Sequence, residues 1–241
     1  MAFVHGSNTY AFFQHWNCTK GLRSLTLAGQ KELADTTHMG DNDRTFIEGM
    51  RTATLNMSGI FDTDDDNFRD NVERSFNIGD RQFAVAFGGV NNGQNAYMTR
   101  ALCTSFGETS PISDVNMVDA DFQLVEQIRP AYFMHNGPLA NSETTAWIDL
   151  GDDDWDNKFV RIHMWNKASN TVSITIQESD NITPQTPVVN NKTTLNIGVS
   201  TNVAEWSNTS ASLDLGRYVR LRLIGSSTPS IAAFVHVSNN P

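Results

Sequence analysis

A period of two runs through most of this chain. Ala53, Leu55, Met57, Gly59 and Phe61 alternate with Thr54, Asn56, Ser58 and Ile60, so one face of an extended segment is apolar and the other polar. Phe83, Val85 and Phe87 repeat the pattern after a break at Gly79-Asp80. Residues 96–106 and 113–127 read as two further strands joined by a turn around Glu108 to Pro111, and residues 10–15 and 22–27 as an opening pair split near Lys20-Gly21. One segment breaks the rhythm. Phe68, Val72 and Phe76 fall four apart among Arg69, Asp70, Glu73 and Arg74, which predicts a short amphipathic helix. Asp64, Asp65 and Asp66 stand at its start, where carboxylates meet free N–H groups, and Gly79 closes it.

A second unit is expected after Pro130. Residues 135–145 contain Gly137, Pro138, Asn141 and Ser142 with no apolar period and read as a linker. Strands are expected over 146–150, 158–166, 171–178, 194–200, 217–224 and 231–237. Val219, Leu221 and Leu223 alternate with Arg220 and Arg222, a strand with distinct inner and outer sides. Short strands separated by Asn, Ser, Asp and Pro clusters argue for a sandwich or jelly roll. The division expected is 1–134, a linker at 135–145, and 146–241. The fold class expected is all-β with one short helix.

Charge limits the partners. The 241 residues carry a formal net charge of −10, a surface that repels phosphate and disfavours conventional DNA binding. Residues 1–138 account for −7 and residues 139–241 for −3. No run approaches the roughly 18 apolar residues of a spanning helix, and Met1 to Gly6 lacks the basic and apolar regions of a secretory signal, so synthesis in a cytoplasm is expected. Cys18 and Cys103 read as buried free thiols.

Catalytic chemistry has no foothold in these residues. The six histidines are scattered, and there is no HExxH, nucleophile elbow or phosphate-binding loop. No enzyme activity, metal or cofactor is expected. Asp62, Asp64 and Asp66 have the alternate spacing of a calcium loop, but Asn67 stands where that loop needs glycine, and helix capping is favoured. Asp152, Asp153, Asp154 and Asp156 read as a solvated turn. Trp155 and Trp206 lie in polar surroundings and are candidate sugar-stacking faces, whereas Trp147 and Trp165 read as core.

Several stretches are similar to one known family. The opening Phe3 to Tyr10, the run Ala34-Asp35-Thr36-Thr37-His38-Met39-Gly40-Asp41 with Arg44 and Phe46 to Leu55, and the later Thr104 to Phe106, Pro111 to Val115 and Phe122 to Leu124 resemble major tail (tail tube) proteins of long-tailed bacteriophages. Asn17 to Gly21 departs from that pattern. Val172 to Asp180 and Gly216 to Leu221 resemble, more loosely, β-sandwich extensions of such proteins.

The resemblance implies a tail tube domain over 1–134, a β-sandwich or barrel, with 146–241 a β-sandwich on the outside of the tube. It implies a structural virion protein, found in the tail and assembled in the host cytoplasm. Subunits would close into rings, usually of six, and stack into a conduit through which viral DNA passes without specific binding. Tape measure, terminator and distal tail proteins are the implied partners, with no membrane. The stretch from Gly29 to Phe46, too long for a hairpin turn, would reach the neighbouring ring through Asp35, Met39, Asp41, Asp43 and Arg44. Alternatives of other classes are a capsid decoration or baseplate protein, and a glycan-binding module acting in host adsorption.

Overall fold

The computed structural model describes residues 9–13, 16–38, 43–61, 68–87, 93–139, 141–151, 159–166, 172–180, 189–197, 203–208, 215–225 and 230–238. In chain order the elements begin with β1 (Tyr10–Phe13), β2 (Trp16–Asn17), β3 (Leu22–Asp35), β4 (Phe46–Ile60), α1 (Phe68–Phe76), β5 (Arg81–Ala86) and β6 (Gln94–Thr109). They continue through β7 (Met117–Leu124), β8 (Arg129–Pro138), β9 (Ser142–Thr144), β10 (Ile148–Asp149) and β11 (Phe159–Asn166). The last are β12 (Val172–Ser179), β13 (Asn190–Ile197), β14 (Val203–Asn208), β15 (Tyr218–Gly225) and β16 (Ser230–Ser238). The chain is all-β with one short helix, as its alternation requires.

Two compact units divide these elements. One comprises 1–19, 82–98 and 129–241; the other comprises 20–81 and 99–128. β6 passes from the first to the second between Met98 and Thr99. This division differs from the expected 1–134 and 146–241. The chain at the expected linker is largely strand: residues 129–138 form β8, which pairs with β6 and β16, and 142–144 form β9 on β15. Gly137 (φ 125°) and Pro138 are the reason a linker was expected; both are held at the end of a paired strand instead.

In the first unit one sheet runs β14-β11-β16-β8-β6-β5-β1-β2. It curls. Phe12 on β1 and Phe234 on β16 are separated by β5, β6 and β8 in that order, and in a flat sheet with strands about 4.8 Å apart they would stand roughly 19 Å from one another. Their ring centroids are 5.6 Å apart, edge to face. The concave side shows how this is possible: Ala84, Ala86, Ala96, Ala131 and Ala232 occupy it together with Phe12, Met98, Phe133 and Phe234. Small side chains on the intervening strands let the large ones meet. The convex side of β8, β11 and β16 packs Met134, Ile162, Ile231, Ala233 and Val235 against Ile174, Ile176, Val219, Leu221 and Leu223 of a second sheet. That sheet runs β10-β15-β12-β13, with β9 also on β15. β9, β10, β12, β13 and β15 thus form one layer of a sandwich whose other layer is the curled sheet.

The second unit is a four-stranded antiparallel arrangement, β3-β4-β7 and the C-terminal half of β6. Its helix lies where the period of four placed it, but the buried face is Phe68, Asn71, Val72 and Ser75. Phe76, expected in that face, is 48% exposed. Gly59 explains how closely the helix docks: a Cβ there would overlap the Phe68 ring and lie 2.8 Å from the Gly21 carbonyl oxygen. Arg69 fastens the helix through Asp70 (2.9 Å), Glu73 (2.8 Å) and Glu108 (2.8 Å) and lies over the Phe61 ring. The opening pair expected near residues 10–27 is not a pair. β1 pairs with β2 and β5, while β3 pairs with β4.

Candidate assembly surface

The second unit has one covered and one bare sheet face. Leu55 and Met57 on β4, Val118, Ala120 and Phe122 on β7, and Cys103 on β6 are buried on the helix side. Cys103 and Cys18 are free thiols, both buried. Burial pushes the Cys103 thiol up, so it stays protonated and unreactive. Among the described residues, the opposite face carries no cover within the unit. It presents Ser24, Thr26 and Ala28, then Thr54, Asn56 and Ser58, then Asp119, Asp121 and Gln123, then Leu102, Ser105 and Gly107. In these central rows mostly small polar side chains, with Leu102 beside Gln123 at the β6 border, surround two carboxylates, and none is Lys or Arg. Asp121 is fixed by hydrogen bonds from Ser105 Oγ (2.7 Å) and from Asn56 Nδ2, which hold its carboxyl below the usual range, Ser105 contributing most.

The borders of this sheet are β3 and the C-terminal half of β6. Among the described residues, β3 pairs with β4 alone. An edge strand of 14 residues is a ready template for another chain.

β3 and β4 also run beyond the sheet. The β4–β7 pairing ends at Thr54↔Gln123, whereas β3–β4 continues to Asp35↔Phe46. The result is a two-stranded arm. The expected loop from Gly29 to Phe46 is therefore strand over Gly29 to Asp35 and again at Phe46, with residues 36–45 connecting the two. The alternation signal missed it because nearly every arm residue is exposed on both faces. Lys31 and Arg51 brace the arm, with Glu48 Oε1 accepting from Lys31 Nζ (2.8 Å) and Arg51 Nη2 (2.6 Å). Those two cations, Lys31 first, hold the Glu48 carboxyl low. A cavity of about 440 Å³ opens where the arm leaves the sheet, between Lys31 and Arg51 and the segment Leu124 to Ile128.

The residues singled out from sequence fall variously. Asp35 ends β3 and accepts from the Thr37 backbone N–H (2.9 Å) and hydroxyl, bonds that lower its carboxyl, the hydroxyl most. Thr36 N donates to Thr45 O (2.9 Å), and Thr45 N to Thr37 Oγ1 (3.1 Å), so Asp35 helps close the arm's tip. Asp43 and Arg44 are exposed in the connection. Met39 and Asp41 lie outside the described residues, as do Trp155 and the acidic clusters at 62–66 and 152–156. Trp206 sits on β14 opposite His163 of β11. Trp147, expected in the core, is half-buried, with Arg220 over its ring at 4.3 Å. Among the described residues, no group of three or more His, Cys, Asp or Glu is placed to share a metal ion.

No family model and no curated protein matches the sequence. Solved structures superpose on the chain at low identity and low TM-score. A chain of the virion of a native gene transfer agent particle superposes with a TM-score of 0.44 at 14% identity, over 52% of this chain and 95% of that one. A chain of the SPP1 tail tube superposes with a TM-score of 0.43 at 11% identity, over 52% and 77%. The SPP1 Dit protein, described as a hub of the adsorption apparatus in phages infecting Gram-positive hosts, covers 95% of this chain and 99% of its own at a TM-score of 0.36 and 11% identity. These likenesses are too distant to assign a family or a function to the chain.

Proposed function

We propose that this chain is a structural virion protein whose copies close into rings and stack into a bacteriophage tail tube, with the bare polar face of the β3-β4-β7-β6 sheet lining the channel. The observation that carries the reading is the strand count. Four antiparallel strands alternate in direction, so β3 and β6, at the two borders, point opposite ways. When copies are related by rotation alone, β3 of one meets β6 of the next in antiparallel orientation. An even count lets the alternation continue around a closed ring, and closure removes both exposed borders. An odd count would force a parallel junction at each step.

The inner wall then suits a conduit. Rows of Thr, Ser and Asn with Asp119 and Asp121 repeat around the axis and offer phosphates no cation to grip. DNA held off such a wall escapes the counterion-release attraction of basic grooves. The sequence resemblance to tail tube proteins supports the same reading, and a ring of six is the order it implies. Tape measure, terminator and distal tail proteins are the partners that such a tube needs, and the virion tail is its location.

Negative-stain imaging of the purified protein at high concentration tests this. Rings with a central hole, or tubes built from them, are expected. Discrete rings that never stack would favour a baseplate component. Particles that remain monomeric at every concentration would overturn the reading.

A further inference from the structure

The outer side of the second sheet carries positive charge that the described residues leave uncompensated. Val219, Leu221 and Leu223 of β15 point into the core, so Arg220 and Arg222 stand on the opposite side. Register sets their neighbours. Arg220 pairs with Gln177 of β12, and Gln177 with Asn191 of β13. Arg222 pairs with Thr144 of β9 and Thr175 of β12, and Thr175 with Thr194 of β13. Directly paired residues share a face, so these side chains form two rows on one side of the sheet.

Arg220 is held in place. Its guanidinium lies over the Trp147 ring at 4.3 Å, and its Nε donates to Gln177 Oε1 at 2.8 Å. Gln177, 6% exposed, donates in turn through Nε2 to Asn191 Oδ1 (2.9 Å), and the Thr175 and Thr194 hydroxyls meet at 3.1 Å. Neither Arg220 nor Arg222 has a carboxylate partner among the described residues. By contrast, Lys31, Arg51, Arg69, Arg100, Lys192 and Arg217 each form an ion pair. Asp149, opposite Tyr218 on this face, is committed to Arg217 through two bonds of 2.8 Å. In a chain with 17 Lys and Arg against 27 Asp and Glu, two cations left over on one face are a specific feature. Burial holds the Arg220 pKa below its usual value, since the cation loses water and gains no anion in exchange. An anion placed there recovers part of that cost.

We infer that this face binds an acidic polysaccharide, with Arg220 and Arg222 taking its carboxylates and the amide and hydroxyl rows taking its sugar hydroxyls. The two arginines are two residues apart, about 6.6 Å along the strand, so one short stretch of a hexuronate chain reaches both. Each guanidinium offers a planar fork to a carboxylate. Gln177, Asn191, Thr175 and Thr194 are ordered by their own bonds and keep further donors and acceptors for hydroxyls. Duplex DNA is a poor match, because two cations on a chain of net charge −10 neutralise too few phosphates. The inference uses the second sheet alone and stands apart from ring formation.

Calorimetric titration of the full chain with oligogalacturonate tests it, with dextran as a neutral sugar and polyglutamate as a polyanion without sugar. Oligogalacturonate should bind, and the other two should not. Arg222→Gln replaces an exposed side chain that forms no bond among the described residues, so the fold is kept. It should weaken binding about tenfold or more. Arg220→Gln should do the same once circular dichroism shows wild-type strand content. Arg222→Lys should restore only part of the affinity, because an ammonium lacks the fork. Negative-stain particles of Arg222→Gln should match those of wild type, which separates a failure here from a failure of the tube reading. Wild-type protein that does not bind oligogalacturonate, equal binding of polyglutamate, or affinity unchanged in both arginine variants would each overturn the inference.

Discussion

Gly59 shows how one residue sets the helix. Only a hydrogen lies between its Cα and the Phe68 ring, so Gly59→Ala should push the helix off β4 and cost about 1–3 kcal/mol of stability. Urea denaturation reads this directly; an unchanged midpoint would mean that the helix does not pack where it is described. His236 sets a pH dependence. Its ring is 7% exposed, Nδ1 bonds the Pro130 carbonyl oxygen, and burial, aided by Arg129 and Arg161, holds its pKa below the ordinary 6.5. The folded state therefore favours the neutral ring. Its contribution is complete above pH ~6.5 and is lost as pH falls toward the lowered value, because the unfolded chain takes the proton first. Urea midpoints from pH 8 to 5 should fall, and His236→Gln should flatten that part of the slope.

Among the elements, β16 decides whether the C-terminal segment is separable. It lies between β8 and β11, and its Phe234 ring meets Phe133 at 4.9 Å and Phe12 at 5.6 Å. A chain ended after Gly137 loses β11, β16 and the second sheet, which uncovers Phe12, Phe133 and Met134. It should aggregate or fail to fold, and Phe234→Ala alone should cost about 3–5 kcal/mol. A soluble, cooperatively unfolding 1–137 fragment would contradict this account of the first unit. A true linker at 135–145 would instead have let such a fragment stand alone. Gly137 and Pro138 punctuate the chain locally, and no local pattern tells that a strand 90 residues later pairs with the same segment. Strands with one buried face were legible, as at Leu55 and Met57 or Val219, Leu221 and Leu223. The arm was not, because both its faces are exposed and alternation records burial. β14, with Val203, Ala204 and Glu205 in succession, carries no period either. Of the loop residues chosen by resemblance, replacing Met39, Asp41 and Arg44 together with Ser should leave urea stability unchanged and shorten the tubes. Unchanged tube length would remove the connection at 36–45 from the ring contacts.

At the scale of the whole molecule, the proposed ring rests on an even-stranded sheet whose two borders and one polar face are bare among the described residues. The chain's charge of −10 matters through where it is placed. Asp119→Lys with Asp121→Lys changes only exposed positions on the bare face, so rings should form with wild-type dimensions while acquiring salt-sensitive affinity for double-stranded DNA. Wild-type rings should show none. The most direct measurement is a cryo-EM map of the assembled ring. The account predicts that Thr54, Asn56, Asp119 and Asp121 face the channel, that β3 of each copy pairs antiparallel with β6 of its neighbour, and that carboxylates outnumber cations along the wall. A channel lined by the first unit, by α1 or by Lys and Arg side chains would contradict it.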